Sequence, residues 1–102
     1  MLSNYVLITG GSDGIGLELA KLFAKDKHNL LLAARNIEKL NKAKEMLKGE
    51  GVDVRIISVD LSSMEECEKL INYIEDNNLS VDTLVNNAGI GSFGEFKDIS
   101  WE

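Results

Sequence analysis

The chain has 102 residues, 44% of them apolar and 27% charged, which are ordinary proportions for a globular domain. Seventeen acidic against eleven basic side chains leave a formal charge of −6. That balance argues against a nucleic-acid backbone or an anionic membrane surface as the main partner, since both reward clustered Lys and Arg. No apolar run approaches the ~20 residues of a bilayer-spanning helix, and the start Met1-Leu2-Ser3-Asn4-Tyr5 has no basic leader region. The single cysteine, Cys67, can form no internal disulfide, and no Cys/His cluster has metal-ligand spacing. The expectation is a cytoplasmic protein without structural metal. A chain of this length buries only ~60–70% of its unfolded surface, so it makes one domain or part of one.

Short apolar runs alternate with amphipathic segments, the pattern of βαβ units and a parallel α/β sheet. Tyr5–Thr9 is a near-continuous apolar run, as in a strand buried on both faces. A glycine-rich turn, Gly10–Gly16, leads into a helix over about Ile15–Asp26, with Ile15, Leu19, Leu22 and Phe23 as its expected apolar face. Asn29–Ala34 is a second buried strand. Asn36 caps a helix reaching about Lys48, with Ile37, Leu40, Ala43 and Leu47 as a narrow stripe and Gly49 and Gly51 closing it. Val52–Val59 carries Asp53 and Arg55 and reads as an edge strand with one wet side. Ser62-Ser63-Met64-Glu65 reads as a capping box, before a helix presenting Met64, Cys67, Leu70, Ile71 and Ile74. Asp82–Asn86 is a fourth strand. Right-handed crossovers place the first two helices on one face of the sheet and the third on the other, giving strand order 3-2-1-4, the first half of a doubly wound, three-layer Rossmann-type fold. Strand 4 is then an open edge, with Leu84 and Val85 short of a covering helix.

Four stretches at the carboxyl ends of these strands carry chemistry. Thr9-Gly10-Gly11-Ser12-Asp13-Gly14-Ile15-Gly16 sits between a buried strand and a helix. Such a turn lets backbone approach a pyrophosphate without Cβ clashes and offers it the helix N-terminus. The same turn also serves as a plain strand-to-helix junction. Arg35 follows strand 2, where the chain returns to the ribose of a bound dinucleotide. An acid there would take a 2′-hydroxyl, whereas a guanidinium forks onto a 2′-phosphate or simply stands solvated at the strand end. Asp13 counts mildly against a phosphate pocket, where a basic residue would serve better. Asp60-Leu61 ends strand 3, where a carboxylate can accept from an adenine amino group or merely lead into the capping box. Asn86-Asn87-Ala88-Gly89 ends strand 4 with small residues where backbone passes close to a nucleotide, or makes an ordinary Asn/Gly turn.

Together, in this order and spacing, these motifs resemble the short-chain dehydrogenase/reductase family over essentially the whole chain. The resemblance implies a parallel sheet of seven strands and NAD(P)-dependent oxidation or reduction of a hydroxyl or carbonyl. It also implies roles: Gly10, Gly14 and Gly16 shape the pyrophosphate turn, with Ser12, Asp13 and Ile15 lining it. Arg35 selects NADP over NAD, Asp60 and Leu61 hold adenine, and Asn87, Ala88 and Gly89 line the adenosine ribose side, Asn87 also bracing the central strands. The family's catalytic serine and Tyr-x-x-x-Lys pair have no counterpart: Tyr5 and Tyr73 are followed four residues on by Thr9 and Asn77. Residues 1–102 are therefore expected to form a partial NAD(P)-binding domain, without catalytic residues and inactive alone. A second reading, from a different class, is a small non-catalytic module that self-associates through strand 4 or the uncovered sheet face. His28 reads as a solvated loop residue, Cys67 as core, and Lys39–Glu50 as a solvated helix face.

Overall fold

The computed structural model describes residues 4–12 and 14–87. Four parallel strands, β1 (Asn4–Thr9), β2 (Asn29–Ala34), β3 (Val54–Ser58) and β4 (Ser80–Asn86), form one sheet in the order β3-β2-β1-β4. Three helices connect them: α1 (Gly14–Lys25), α2 (Ile37–Leu47) and α3 (Met64–Asp76), with a 3₁₀ turn at Lys48–Glu50 after α2. The order agrees with the alternation of apolar runs and amphipathic segments. β1 and β2 are central and buried on both faces, and Leu7 pairs with Leu31 and Ile8 with Leu32. All four leucine and isoleucine side chains are fully buried, each adding about 1.5–3 kcal/mol of hydrophobic stabilisation.

The core has two halves, one on each sheet face. Val6, Ile8, Leu30, Leu32 and Val54 pack with Ala20 and Ala24 of α1 and Leu40, Ala43 and Leu47 of α2. Tyr5, Leu7, Leu31, Ala33 and Ile57 pack with Cys67, Leu70 and Ile74 of α3. Residues two apart along a strand thus serve one face, and two helices lie on one side with the third opposite.

Several boundaries and faces differ from the sequence expectation. The sheet-facing stripe of α1 is Gly16, Ala20 and Ala24, and Ile15 and Leu22 point outward at 72% and 64% exposure. Periodicity of the bulkiest residues missed this because α1 lies too close to the sheet for large side chains. Ile37 and Met64, at the first turns of their helices, are likewise exposed. The helical cap before α3 is Ser63 rather than Ser62: Ser63 Oγ accepts from the Glu66 N–H at 3.5 Å. Ser62 Oγ is committed to Asp60 Oδ1 at 2.6 Å, so it cannot cap. Glu66, not Glu65, reaches back, its Oε1 accepting from the Asp60 N–H at 3.1 Å. β3 starts two residues later than expected and β4 two earlier. Val85 is half-buried against the α1/α2 side of the core, while Leu84 on the opposite face is 36% exposed.

The amino ends of the strands hold a polar cluster. Tyr5 donates its hydroxyl to Asp53, and Arg55 Nε donates to Tyr5 Oη at 3.3 Å and to Asp53 Oδ2 at 3.1 Å. The Arg55 guanidinium also lies 5.9 Å from the Tyr5 ring centroid and reaches Asn77 Oδ1 of the α3 cap at 3.3 Å. This pins the edge strand β3 to β1 and α3. The carboxyl ends of the strands are left to form a site.

Candidate functional site

Gly16 sets the geometry of the turn after β1. A Cβ built there would overlap the Gly10 carbonyl oxygen and come within 2.8 Å of Asn87 Nδ2, so helix and strand meet in a way only glycine allows. Gly14, the first residue of α1, has φ +58 with nothing within 4 Å of a Cβ position. Its requirement is conformational, and the space above it is open. Asn87 Nδ2 donates to the Gly10 carbonyl at 3.3 Å, tying the end of β4 to the turn.

Thr9, at the end of β1, is the buried polar residue beneath this junction, with 0% exposure. Its Oγ1 accepts from the Asn87 N–H at 3.0 Å and donates to the Val85 carbonyl at 3.3 Å. The hydroxyl thereby replaces a ladder bond where β4 leaves the sheet, meeting the demand that buried backbone groups be paired. The sequence reading placed Thr9 inside the motif but gave it no role. A hydroxyl as the one polar side chain at the end of an apolar strand was the available signal.

Next to the turn, a groove of about 340 Å³ opens over the carboxyl ends of β1, β2 and β3. Gly10 and Ser12 form one wall and Ala33-Ala34 the floor, while Arg35, Asn36 and Lys39 rise on the α2 side. Val59 to Ser62, following β3, close the other side. The small alanines leave room, because larger side chains at the end of β2 would fill it. Ser58 Oγ donates to the Arg35 carbonyl at 2.8 Å, fixing the backbone from which Arg35 projects. Asn36 caps α2, its Oδ1 accepting from the Lys39 N–H at 3.0 Å. The sequence reading counted Lys39 only as part of a solvated helix face.

Asp60 faces this groove with one carboxylate oxygen already engaged. Its Oδ1 accepts from the Ser62 hydroxyl and from the Ser62 N–H at 3.0 Å. These bonds, assisted by the positive charge of Arg35, hold the Asp60 carboxyl below its ordinary pKa. Leu61 is buried, and its carbonyl accepts from Cys67 Sγ at 3.5 Å. Cys67 is core, as expected, and His28 is a surface residue beside Asp26 and the edge of Phe23.

Of the residues singled out in sequence, Gly10, Ser12, Arg35, Asp60 and Leu61 line one groove. Gly14 and Gly16 sit in the adjoining first turn of α1, and Asn87 bonds to Gly10. Ile15 is exposed at that turn. Asp13, Ala88 and Gly89 lie outside the described residues. The described residues hold no group of three or more His, Cys, Asp or Glu able to bind a metal. None of their helices is long and apolar enough to cross a membrane.

This arrangement, a glycine turn at a helix start beside a groove over the carboxyl ends of parallel strands, has clear relatives. The family model described as short chain dehydrogenase matches residues 4–102. The chain belongs to the short-chain dehydrogenase family. An 11-beta-hydroxysteroid dehydrogenase of Pinus massoniana is 36% identical over 101 residues, covering 98% of this chain and 28% of that protein. Dehydrogenase/reductase SDR family member 4 of Rattus norvegicus is 33% identical over 103 residues, covering 99% of this chain and 37% of that one. Among solved structures, L-sorbose reductase from Gluconobacter frateurii, complexed with NADPH and L-sorbose, matches with TM-score 0.79 and 36% identity over 89% of this chain and 35% of that one. An alcohol dehydrogenase from the archaeon Thermococcus sibiricus, complexed with 5-hydroxy-NADP, matches with TM-score 0.80 and 33% identity over 96% of this chain and 42% of that one. The short-chain dehydrogenase chain described here therefore spans roughly a third of the length of these relatives.

Proposed function

We propose that residues 1–102 form the NADP(H)-binding part of an oxidoreductase that transfers hydride to or from a hydroxyl or carbonyl substrate. The observation that carries this reading is the groove in which Arg35 and Asp60 face one another beside the glycine turn. In this reading Asp60 and Leu61, on the β3 side of the groove, would hold the adenine. Arg35 would take the ribose 2′-phosphate, and the glycine turn, with open space above Gly14, would take the pyrophosphate at the N-terminus of α1. The family resemblance would give Asp13 and Ile15 a role at the pyrophosphate and Asn87, Ala88 and Gly89 one on the ribose side. The fit rests on features of the fold itself: small residues at the groove floor, an unfilled Cβ position at Gly14 and a guanidinium at the ribose end. The NADPH and 5-hydroxy-NADP complexes of the two structural relatives support the same cofactor class.

When bound, the dinucleotide supplies or accepts the hydride; the residues described here orient it and discriminate its phosphate. Neither Tyr5 nor Tyr73 has a lysine four residues on, so this stretch alone is expected to turn over no substrate. Fluorescence titration with NADPH tests the reading. Saturable binding that Arg35→Glu weakens supports it, and the absence of saturable binding to the folded chain refutes it. A hydride-transfer assay of the same material is expected to stay at background.

A second reading has its own observation. Leu84 is 36% exposed on β4, the last strand of the sheet among the described residues, and an open strand edge invites pairing. Self-association through β4 predicts a concentration-dependent dimer in light scattering, and a monomer throughout removes it.

A further inference from the structure

The Asp60 carboxylate is held from one side. The Ser62 hydroxyl donates to Asp60 Oδ1 at 2.6 Å, and the Ser62 N–H donates to the same oxygen at 3.0 Å. Two donors from one residue, converging on one oxygen, restrict both the position and the plane of the carboxylate. The backbone beneath is held as well. The Asp60 N–H donates to Glu66 Oε1 at 3.1 Å, and the Asp60 carbonyl accepts from the Ser63 N–H at 3.1 Å. Among the described residues no hydrogen bond falls on Asp60 Oδ2. That oxygen keeps its acceptor capacity for a ligand in the groove that Asp60 and Ser62 both line.

The two serines of this segment do different things. Ser63 caps α3, so its hydroxyl serves the fold. Ser62 is exposed and gives its hydroxyl to Asp60 instead of to the helix. That bond is also the first cause of the lowered Asp60 pKa. An ionised carboxylate accepts hydrogen bonds and never donates. Adenine offers it an amino group, a donor, whereas hypoxanthine carries a carbonyl oxygen at the same position of the ring. A carboxylate held in place therefore selects a base by the sense of its hydrogen bond. One left free to swing selects less, because it turns away from a mismatched edge and must be ordered afresh by a matched one.

We infer that Ser62 is a positioning residue: by holding Asp60 Oδ1 it makes the Asp60 carboxylate a discriminator of the dinucleotide's base, favouring an aminopurine over an oxopurine. The inference rests on the dinucleotide-binding reading above, in which Asp60 would hold the adenine. It goes beyond that reading in naming the residue that gives the contact its selectivity.

The test is calorimetric titration of the full chain with NADP⁺ and with its hypoxanthine analogue, deamino-NADP⁺, read as the ratio of the two dissociation constants. The parent chain is expected to prefer NADP⁺ roughly tenfold or more, as for a hydrogen bond to a charged group. Ser62→Ala is expected to lower that ratio roughly threefold or more, mainly by weakening NADP⁺. Ser62→Thr keeps the hydroxyl at an exposed position, so it is expected to keep the ratio. Ser63→Ala removes the α3 cap and is expected to lower Tm while leaving the ratio unchanged, which separates lost stability from lost selectivity. Asp60→Asn gains a donor for a carbonyl oxygen and is expected to abolish or reverse the preference. A parent-like ratio in Ser62→Ala beside an altered one in Asp60→Asn overturns the Ser62 role and leaves the adenine contact standing. A ratio that falls as far in Ser62→Thr or in Ser63→Ala as in Ser62→Ala also overturns that role. A parent without preference, or a parent-like ratio in Asp60→Asn, overturns the contact between Asp60 and the base and the Ser62 role with it. Binding of neither nucleotide overturns the dinucleotide reading itself.

Discussion

Gly16→Ala tests whether the glycine turn is built by close approach or only by backbone freedom. The new methyl would overlap the Gly10 carbonyl oxygen and lie 2.8 Å from Asn87 Nδ2. The obstacle is backbone, which cannot swing aside like a side chain, so α1 must withdraw from β1. Withdrawal loosens Ala20 and Ala24, both fully buried against the sheet. Overpacking of this kind costs about 1–3 kcal/mol, and here the upper end applies because the clash is with a carbonyl. Better helix propensity returns up to ~1 kcal/mol, leaving a net loss of about 2 kcal/mol. For a domain of this size that is a fall of roughly 8–16 °C in Tm, read by circular dichroism. Two glycines calibrate the result. Gly14→Ala meets open space but holds φ at +58, a strain of about 1 kcal/mol. Gly49→Ala meets nothing within 4 Å and no positive φ, so it should fall within about 0.5 kcal/mol of the parent. A Gly16→Ala chain that melts at or above Gly14→Ala would refute the reasoning.

Thr9→Val keeps the shape of a buried residue and deletes the hydroxyl that serves Asn87 N–H and the Val85 carbonyl. It is expected to cost about 2 kcal/mol, with Thr9→Ser close to the parent, both read in denaturant melts; equal stability of all three would contradict the bridging role. Asp60 has a depressed pKa in the folded state, caused first by its bonds from Ser62. Its stabilising contribution is therefore present above the ordinary value of 3.8 and is lost as pH falls through the lower folded value. Asp60→Asn should flatten that acid limb of a Tm-against-pH profile, and an unaltered limb would count against it. Tyr5 is shifted the other way, raised above 10.0 first by burial and then by its bond to Asp53. The stability it confers is present below pH 10.0 and is lost as pH climbs through the raised value. Tyr5→Phe should melt with a shallower decline above pH 10.0 than the parent; parallel declines would remove Tyr5 as the group responsible.

The strand order and the side of the sheet that each helix covers were legible because buried parallel strands and crossover helices leave unlike apolar periods. The glycine turn, Arg35 and Asp60 were legible because each stands within two residues of the end of a strand, where topology alone brings them together. What sequence left unseen depends on distances. The contact face of α1 is small rather than bulky, so a reading by hydrophobic size chose Ile15 and Leu22, which face outward. The cap shifted from Ser62 to Ser63 because Asp60 engages the Ser62 hydroxyl, a competition that spacing does not reveal. Thr9 and Ser58 gain roles through single hydrogen bonds to neighbouring strands. Lys39 reads as one more charge on a polar helix until the groove places it beside Arg35.

Thermal melting of the 102-residue chain with saturating NADP⁺, and then NAD⁺, at matched ionic strength puts the proposed dinucleotide site directly at risk. Ligand at ~100 times its dissociation constant adds ~2.7 kcal/mol of stability, a rise of roughly 10–20 °C for a domain of about this length. The proposed binding mode, with Arg35 at the ribose, predicts a rise with NADP⁺ that clearly exceeds the rise with NAD⁺. No rise with either nucleotide, or a larger one with NAD⁺, would contradict it.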